Sequence, residues 1–506
     1  MLKRYLKMIE NSRVYEVAVE SPLVEAGRLS ERLDNRVWMK REDLQSVYSF
    51  KLRGAYNKIS SLSDEQREHG IIAASAGNHA QGVALSARKL GVKALIFMPV
   101  TTPSIKIEAV RNHGARIKLK GDTYDEAYTY ASAYAKEQGV VFIHPYDDPI
   151  VIAGQGTVGL EILRQHSGDL HAIFVPIGGG GLIAGIALAV KALRPEVKII
   201  GVEPDDAPCM YEALKRGRRV KLKQVGIFAD GVAVSQAGKE PFRVAREYVD
   251  EVIVVSTDAL CAAMKDIYDE CRSIVEPAGA LGIAGIKQYV ERHRLTGKSM
   301  VAINSGANIN FDRLRHVSER AEIGEQREAL LGVTIPEQPG SFRKFCETMG
   351  KRGITEFNYR YSQAEQAHVF AGVKLQEGDS ERKALVKDLR SKGYPVKDLT
   401  DSELAKLHIR YMVGGRVPGL EDELLFRFQF PERPGALLGF LGAIGKRWNI
   451  SLFHYRNHGA DYGRVLVGIQ VPRESRKEFR ASLTKLGYSF WEETDSTAYK
   501  LFLGDA

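Results

Sequence analysis

Four glycines in a row, Gly178, Gly179, Gly180 and Gly181, follow the apolar run 172–176 and open a helix-forming stretch at 182–193. A segment this poor in side chains suits neither a strand nor a helix interior, where each glycine costs roughly 0.5–1 kcal/mol relative to alanine. The chain must turn there, from strand to helix. Consecutive glycines let the backbone curl until several N–H groups face one anion, and the first turn of the helix adds its partial positive charge. A phosphate site ending at Leu182 is therefore implied, since a turn that only joins two elements needs one or two glycines.

The surroundings fit that geometry. From about Val37 to Glu203, short β-branched runs alternate with amphipathic segments, which is the signature of βαβ units and a largely parallel sheet. Strands are expected at 70–74, 92–98, 116–118, 140–143, 172–176 and 197–202. Pro103 opens one intervening helix, Gly114 closes it, and Gly91 closes the helix that begins near Asn78. The fold class is α/β. A dinucleotide site competes for the glycine turn, because Gly179-x-Gly181-x-x-Ala184 fits the Rossmann fingerprint and Glu203 ends the next strand. Against it, the turn follows at least four strands instead of the first.

At 506 residues the chain is long enough for two or three domains. No stretch approaches the roughly 20 apolar residues of a membrane span, and Met1-Leu-Lys-Arg-Tyr-Leu-Lys lacks a signal-type apolar region, so a cytoplasmic protein with no membrane partner is expected. The four cysteines form no CxxC pair, which argues against a disulfide framework or a zinc site. The net charge of +9 is scattered among acidic residues, so nucleic acid is not an expected partner.

Beyond about Arg320 an internal repeat appears. Ile335-Pro-Glu-Gln-Pro-Gly-Ser returns as Phe430-Pro-Glu-Arg-Pro-Gly-Ala, 95 positions later. Phe357-Asn-Tyr-Arg returns as Phe453-His-Tyr-Arg, and Val369-Phe-Ala-Gly-Val-Lys as Val465-Leu-Val-Gly-Ile-Gln, both at an offset of 96. Each copy reads as strand, Pro-Gly turn, helix, strand, strand, helix, strand. The domains expected are 1–320, 329–400 and 421–497, with a linker over 401–420. Gly340, Phe342, Gly435, Leu437 and Leu441 lie at or after the two Pro-Gly turns and are candidate effector-pocket residues.

Two further motifs bear on chemistry. In Ser49-Phe-Lys51-Leu-Arg-Gly-Ala a lysine stands at the mouth of a helix, where the positive dipole end disfavours its protonated form and leaves a nucleophilic amine. In Ser75-Ala76-Gly77-Asn78-His79 a strand turns into a helix with backbone N–H groups free to hold a carboxylate; Asn78 could also be an N-cap, and His79 reads as a packed residue.

These stretches, with Lys40-Arg-Glu-Asp-Leu-Gln45, Phe228-Ala-Asp-Gly-Val-Ala233, Val275-Glu-Pro-Ala-Gly-Ala280 and Asn304-Ser-Gly-Ala-Asn308, make the chain resemble the fold-type II pyridoxal 5′-phosphate (PLP) enzymes, specifically threonine deaminases. The resemblance implies a tryptophan synthase β-like catalytic domain followed by two ferredoxin-like α+β, ACT-like regulatory domains. It implies PLP as cofactor, with Lys51 the Schiff-base lysine, Asn78 the partner of the 3′-oxygen, the segment from Gly178 to Leu182 the phosphate cradle and Ser305 the partner of the pyridine nitrogen. A serine cannot keep that nitrogen protonated as a carboxylate can, which favours loss of a β-hydroxyl over transamination. Serine racemases resemble the chain too, but carry a serine where Ala76 stands, so elimination without racemisation is expected. L-threonine, and also L-serine, are the substrates implied, with isoleucine and valine as effectors and a homotetramer as the assembly. One carboxylate, Glu276, does not make a metal site, and none is expected. β-Replacement chemistry, or a non-catalytic amino-acid sensor, remain alternatives.

Overall fold

The computed structural model describes residues 1–311, 313–350, 352–361, 365–412, 414–431, 436–444, 447–456 and 462–503. They fall into two compact units, Met1–Gly324 and Glu325–Ala506.

The first unit contains β1 (Leu23–Glu25), β2 (Arg36–Arg41), β3 (Ile71–Ala74), β4 (Ala94–Met98), β5 (Arg116–Leu119), β6 (Val141–Phe142), β7 (Ala172–Pro176), β8 (Lys198–Pro204), β9 (Glu251–Val255) and β10 (Ser299–Asn304). They build two sheets, ordered β1-β2-β10-β7-β8-β9 and β5-β4-β3-β6. All neighbours run parallel except β1 against β2. Every residue of β3 and β7 is buried, as strands covered on both faces by crossover helices must be. All six strands expected from the alternation are present, with ends displaced by two residues at most. The alternation did not single out β1, β2, β9 or β10; of these, β2 and β10 pair with each other across some 260 residues.

Glycines let three helices meet backbone to backbone. A Cβ on Gly154, in the helix Pro149–Gln165, would lie 2.8 Å from the carbonyl oxygen of Arg53, in the helix Lys51–Ser60. On the other side, a Cβ on Gly185, in the helix Gly181–Leu193, would lie 2.5 Å from the carbonyl oxygen of Ile152. The helix that begins at Lys51 is thus locked, through one intermediary, to the helix that begins at the glycine turn. A buried ion cluster fixes the same helix: Arg53 bonds Glu42 at 2.8 Å and Glu161 at 2.5 Å, while Lys40 bonds Glu161 at 2.6 Å. All four side chains are fully buried, and two cations balance two carboxylates.

The second unit is one sheet built twice over. Its strands are β11 (Glu328–Pro336), β12 (Ile354–Arg360), β13 (Gln366–Lys374), β14 (Val396–Asp398), β15 (Glu423–Pro431), β16 (Asn449–Arg456), β17 (Tyr462–Gln470) and β18 (Ser489–Glu492), in the order β14-β11-β13-β12-β16-β17-β15-β18. Each half has the ferredoxin-like order, fourth-first-third-second. The halves join where β12 pairs antiparallel with β16, and the paired residues are the repeated motif itself: Phe357 faces Tyr455 and Tyr359 faces Phe453. Duplicate edges that pair head to tail satisfy each other's backbone groups and leave neither edge open. The copies also share more than the sequence reading counted. Thr400-Asp-Ser402 and Thr494-Asp-Ser496 match, with Thr400 Oγ1 accepting from Leu330 N and Thr494 Oγ1 from Leu425 N. Ser402 and Ser496 then cap the helices Glu403–Leu407 and Thr497–Phe502. The first part of the stretch read as a linker therefore closes the first copy.

Candidate active site

Lys51 is placed by its neighbours on both sides. Ser49 forms an isolated antiparallel bridge with Gly306, Phe50 N donates to the carbonyl of Ser305 and Ala307 N to that of Tyr48. The segment before the helix is thereby stitched to the end of β10, and Lys51 follows as the first helical residue. Its Nζ donates to the carbonyl of Pro145 at 3.2 Å. Burial pulls its pKa from 10.5 down to about 8, with the Glu276 carboxylate pulling the other way. Desolvation, more than the helix dipole invoked from sequence, leaves part of this amine neutral and nucleophilic near neutrality.

Across the cavity the glycine turn caps β7. Gly180 sits at φ +93°, in the left-handed region that favours glycine. A Cβ on Gly179 would lie 2.2 Å from Cγ of Tyr146, and one on Gly178 3.0 Å from Cα of Val232. The turn is bare because other chain segments press against it, and its helix starts at Gly181. The Ser75–His79 loop joins β3 to the helix Asn78–Lys89, and the capping position falls on Gly77. Asn78 is not a cap. Its Nδ2 donates to Glu276 Oε1 at 2.7 Å, and its Oδ1 accepts from Asn308 at 2.7 Å. His79 is buried, bonds the carbonyl of Ile143 at 2.9 Å and is driven by burial to a pKa of about 3, so it stays neutral. Ser305 Oγ, at the end of β10, donates to the carbonyl of Ala278 at 3.3 Å, the long end of the hydrogen-bond range.

All these groups line one cavity of about 640 Å³: Lys51, the residues Ser75, Ala76, Gly77, Asn78 and His79, the turn from Gly178 to Leu182, and Ser305. The volume suits a cofactor together with a small substrate. Glu276 joins them, a buried carboxyl raised to about 7 by burial and by Asp230, against the opposing Asn78 bond and Lys106. Sequence reasoning left Glu276 and Asn308 without roles; both sit inside motifs it quoted, but their meeting with Asn78 spans some 200 residues of chain. Glu203 goes elsewhere. It is buried, accepts from Met210 N and Tyr211 N at 2.9 and 2.8 Å, and is raised by burial to a pKa of about 8. A carboxyl used this way cannot hold a ribose, which removes the dinucleotide reading.

In the second unit, Gly340, Phe342 and Leu441 line a separate cavity of about 20 Å³ between the two copies. Leu437 is partly buried and packs on the neighbouring apolar core instead. Gly435 lies outside the described residues. No group of three potential metal ligands converges among the described residues, and no helix among them is long and apolar enough to cross a membrane.

Turn, lysine and cavity fit a PLP-dependent enzyme of the tryptophan synthase β-like fold: added side chains on the glycine cradle would clash, and the Lys51 amine lines the same cavity. Comparison with known proteins agrees. Residues 16–306 match the family described as pyridoxal-phosphate dependent enzyme, and residues 319–409 and 414–503 match the C-terminal regulatory domain of threonine dehydratase. The chain is 55% identical over 502 residues to the L-threonine dehydratase biosynthetic IlvA of Burkholderia multivorans, covering 99% of each chain. It is 52% identical to the Escherichia coli protein of the same name, covering 99% of this chain and 97% of that one. Among solved structures, the processed threonine deaminase isoform 2 of Solanum lycopersicum is 51% identical with a TM-score of 0.63, covering 64% of this chain and 88% of that one. The chain belongs to the biosynthetic threonine dehydratases, a family of PLP-dependent lyases.

Proposed function

We propose that the chain converts L-threonine to 2-oxobutanoate and ammonia, and L-serine by the same route, with Lys51 as the amine that carries PLP. The observation that carries this reading is that the Lys51 amine, bonded to the carbonyl of Pro145 and lowered in pKa by burial, lines one cavity with the glycine turn. PLP, when bound, supplies an electron sink for the bond between Cα and its hydrogen. The chain's own residues do the rest. With PLP bound, the turn from Gly178 to Leu182 would hold the phosphate with backbone N–H groups, Asn78 would meet the 3′-oxygen, and Ser305 would meet the ring nitrogen as a neutral partner. Backbone N–H groups of Ser75–His79, at a helix N-terminus, hold the substrate carboxylate. Lys51, displaced by the substrate amine, takes the proton from Cα. The β-hydroxyl leaves as water with a proton that balances the one Lys51 took from Cα, and the released enamine hydrolyses to the keto acid and ammonia. With Ala76 on the loop, no hydroxyl is offered there to return the proton to the opposite face.

Isoleucine inhibits in this reading and valine relieves the inhibition, both binding the duplicated unit. The match of both halves to the C-terminal regulatory domain of threonine dehydratase supports it. The assembly is a homotetramer working in the cytoplasm, with a catalytic unit followed by two regulatory copies, the first of which extends into the stretch read as a linker. The test is keto-acid and ammonia release from L-threonine by PLP-loaded protein, with and without isoleucine. Equal amounts of both products, abolished by Lys51→Ala, are expected. A new amino acid formed from serine and a thiol, in place of ammonia, would make the enzyme a β-replacement catalyst instead.

A further inference from the structure

The cavity wall holds a hydrogen-bonded chain in which Asn78 is flanked by two residues, Asn308 and Glu276, that the proposed reaction leaves without a role. It runs from the carbonyl of Val47 to Asn308, from Asn308 to Asn78, and from Asn78 to Glu276. Its direction is set by chemistry. A backbone carbonyl only accepts, so Asn308 must turn Nδ2 toward Val47, at 2.8 Å, and the same nitrogen gives its second hydrogen to Asn78 Oδ1 at 2.7 Å. Asn78 is thereby forced to point Nδ2 at Glu276 Oε1, 2.7 Å away. That bond uses one of its two hydrogens. The other has no partner among the described residues, on a side chain that lines the cavity.

The surroundings are built to hold Glu276 there. Its backbone N donates to the carbonyl of Gly306 at 3.0 Å. A Cβ on Gly306 would lie 2.7 Å from Glu276 Oε1 and 3.2 Å from Asn78 Nδ2, and a Cβ on Gly231 would lie 2.9 Å from the same carboxyl oxygen. Two glycines thus make room for one carboxyl oxygen, and the carboxyl is almost wholly buried.

We propose that Glu276 is a positioning residue: by accepting from Asn78 it locks the amide so that the remaining N–H faces the 3′-oxygen of the bound cofactor. Glu276 itself moves no proton of the substrate. This rests on the reading that PLP sits on Lys51 beside Asn78. A hydrogen bond to the phenolic oxygen tunes the electronics of the ring, so its loss is read in the visible spectrum as well as in turnover.

The experiment compares Glu276→Ala, Glu276→Gln and Asn308→Ala with the unaltered protein, all loaded with PLP. A Gln carboxamide oxygen still accepts from Asn78; Ala accepts nothing. Glu276→Ala is expected to displace the visible band and its pH dependence, and to lower kcat about 10- to 100-fold, the worth of a hydrogen bond to a charged group. KM for L-threonine should change less than about threefold, because the substrate carboxylate is held elsewhere. Glu276→Gln should restore the band and most of kcat. Asn308→Ala, which frees the other end of the amide, should displace the band in the same direction, so the test stands even if Glu276→Ala fails to fold. A Gln variant as impaired as Ala would show that the carboxyl carries a proton or a needed charge, and an unmoved band in both alanine variants would show that it positions nothing; either result overturns the proposal. A colourless unaltered protein would instead refute the placement of PLP on Lys51.

Discussion

Cofactor capture by the empty enzyme should follow the protonation of Lys51. A pKa of about 8 in place of 10.5 leaves roughly one molecule in ten with a neutral amine at pH 7, against about one in three thousand for a solvated lysine, a gain of about 300-fold. The cause is burial, so the charged form is the one disfavoured and the neutral form grows as pH rises through 8. Stopped-flow absorbance of PLP mixing with apoprotein from pH 6 to 10 gives the profile. The second-order rate constant should climb about tenfold per pH unit below 8 and level off above it. Glu276→Gln removes the carboxylate that supports the charged form, so its plateau should begin at lower pH. A rate that keeps climbing to pH 10 would mean that Lys51 is solvated, and would refute the reasoning from burial.

Three other perturbations probe the scaffold. Gly179→Ala drives a methyl into the Tyr146 ring, 2.2 Å from Cγ, and should weaken PLP binding about 10- to 100-fold by turning away phosphate donors, measured by equilibrium dialysis. Glu161→Leu leaves Lys40 and Arg53 buried against a single carboxylate, and should cost about 3–5 kcal/mol in urea denaturation; a loss below about 1 kcal/mol would show the cluster to be solvated. Thr400→Val and Thr494→Val each strand one backbone N–H, of Leu330 and Leu425, so each should cost about 1–3 kcal/mol; markedly unequal values would deny that the two copies end alike.

Much of this was legible in the chain because local chemistry dictated it. The turn from Gly178 to Gly181 had to be a turn, and the β-branched runs around it had to be strands of a parallel sheet. The repeat was legible too, yet not its use: nothing in Phe357-Asn-Tyr-Arg or Phe453-His-Tyr-Arg says that the two will pair with each other, because edge pairing depends on which face of each copy is left open. The site was read as a set of residues and not as a network. Asn78 was visible as a candidate, but Glu276, which orients it, comes from the start of a helix 198 positions away. Burial likewise escaped the sequence, so the lowered pKa of Lys51 was ascribed to a helix dipole when desolvation dominates. Glu203 shows the converse: a carboxylate in the right place for a ribose is spoken for by two backbone N–H groups seven and eight residues later.

The central claim is that Lys51, among all the lysines of the chain, carries the cofactor. Borohydride reduction of the PLP-loaded protein fixes the cofactor to whichever amine holds it, and peptide mass mapping locates it. The label is expected on the peptide containing Lys51 alone, in an amount equal to the activity lost. Label on Lys106 or any other lysine, or full inactivation without label at Lys51, would contradict the account.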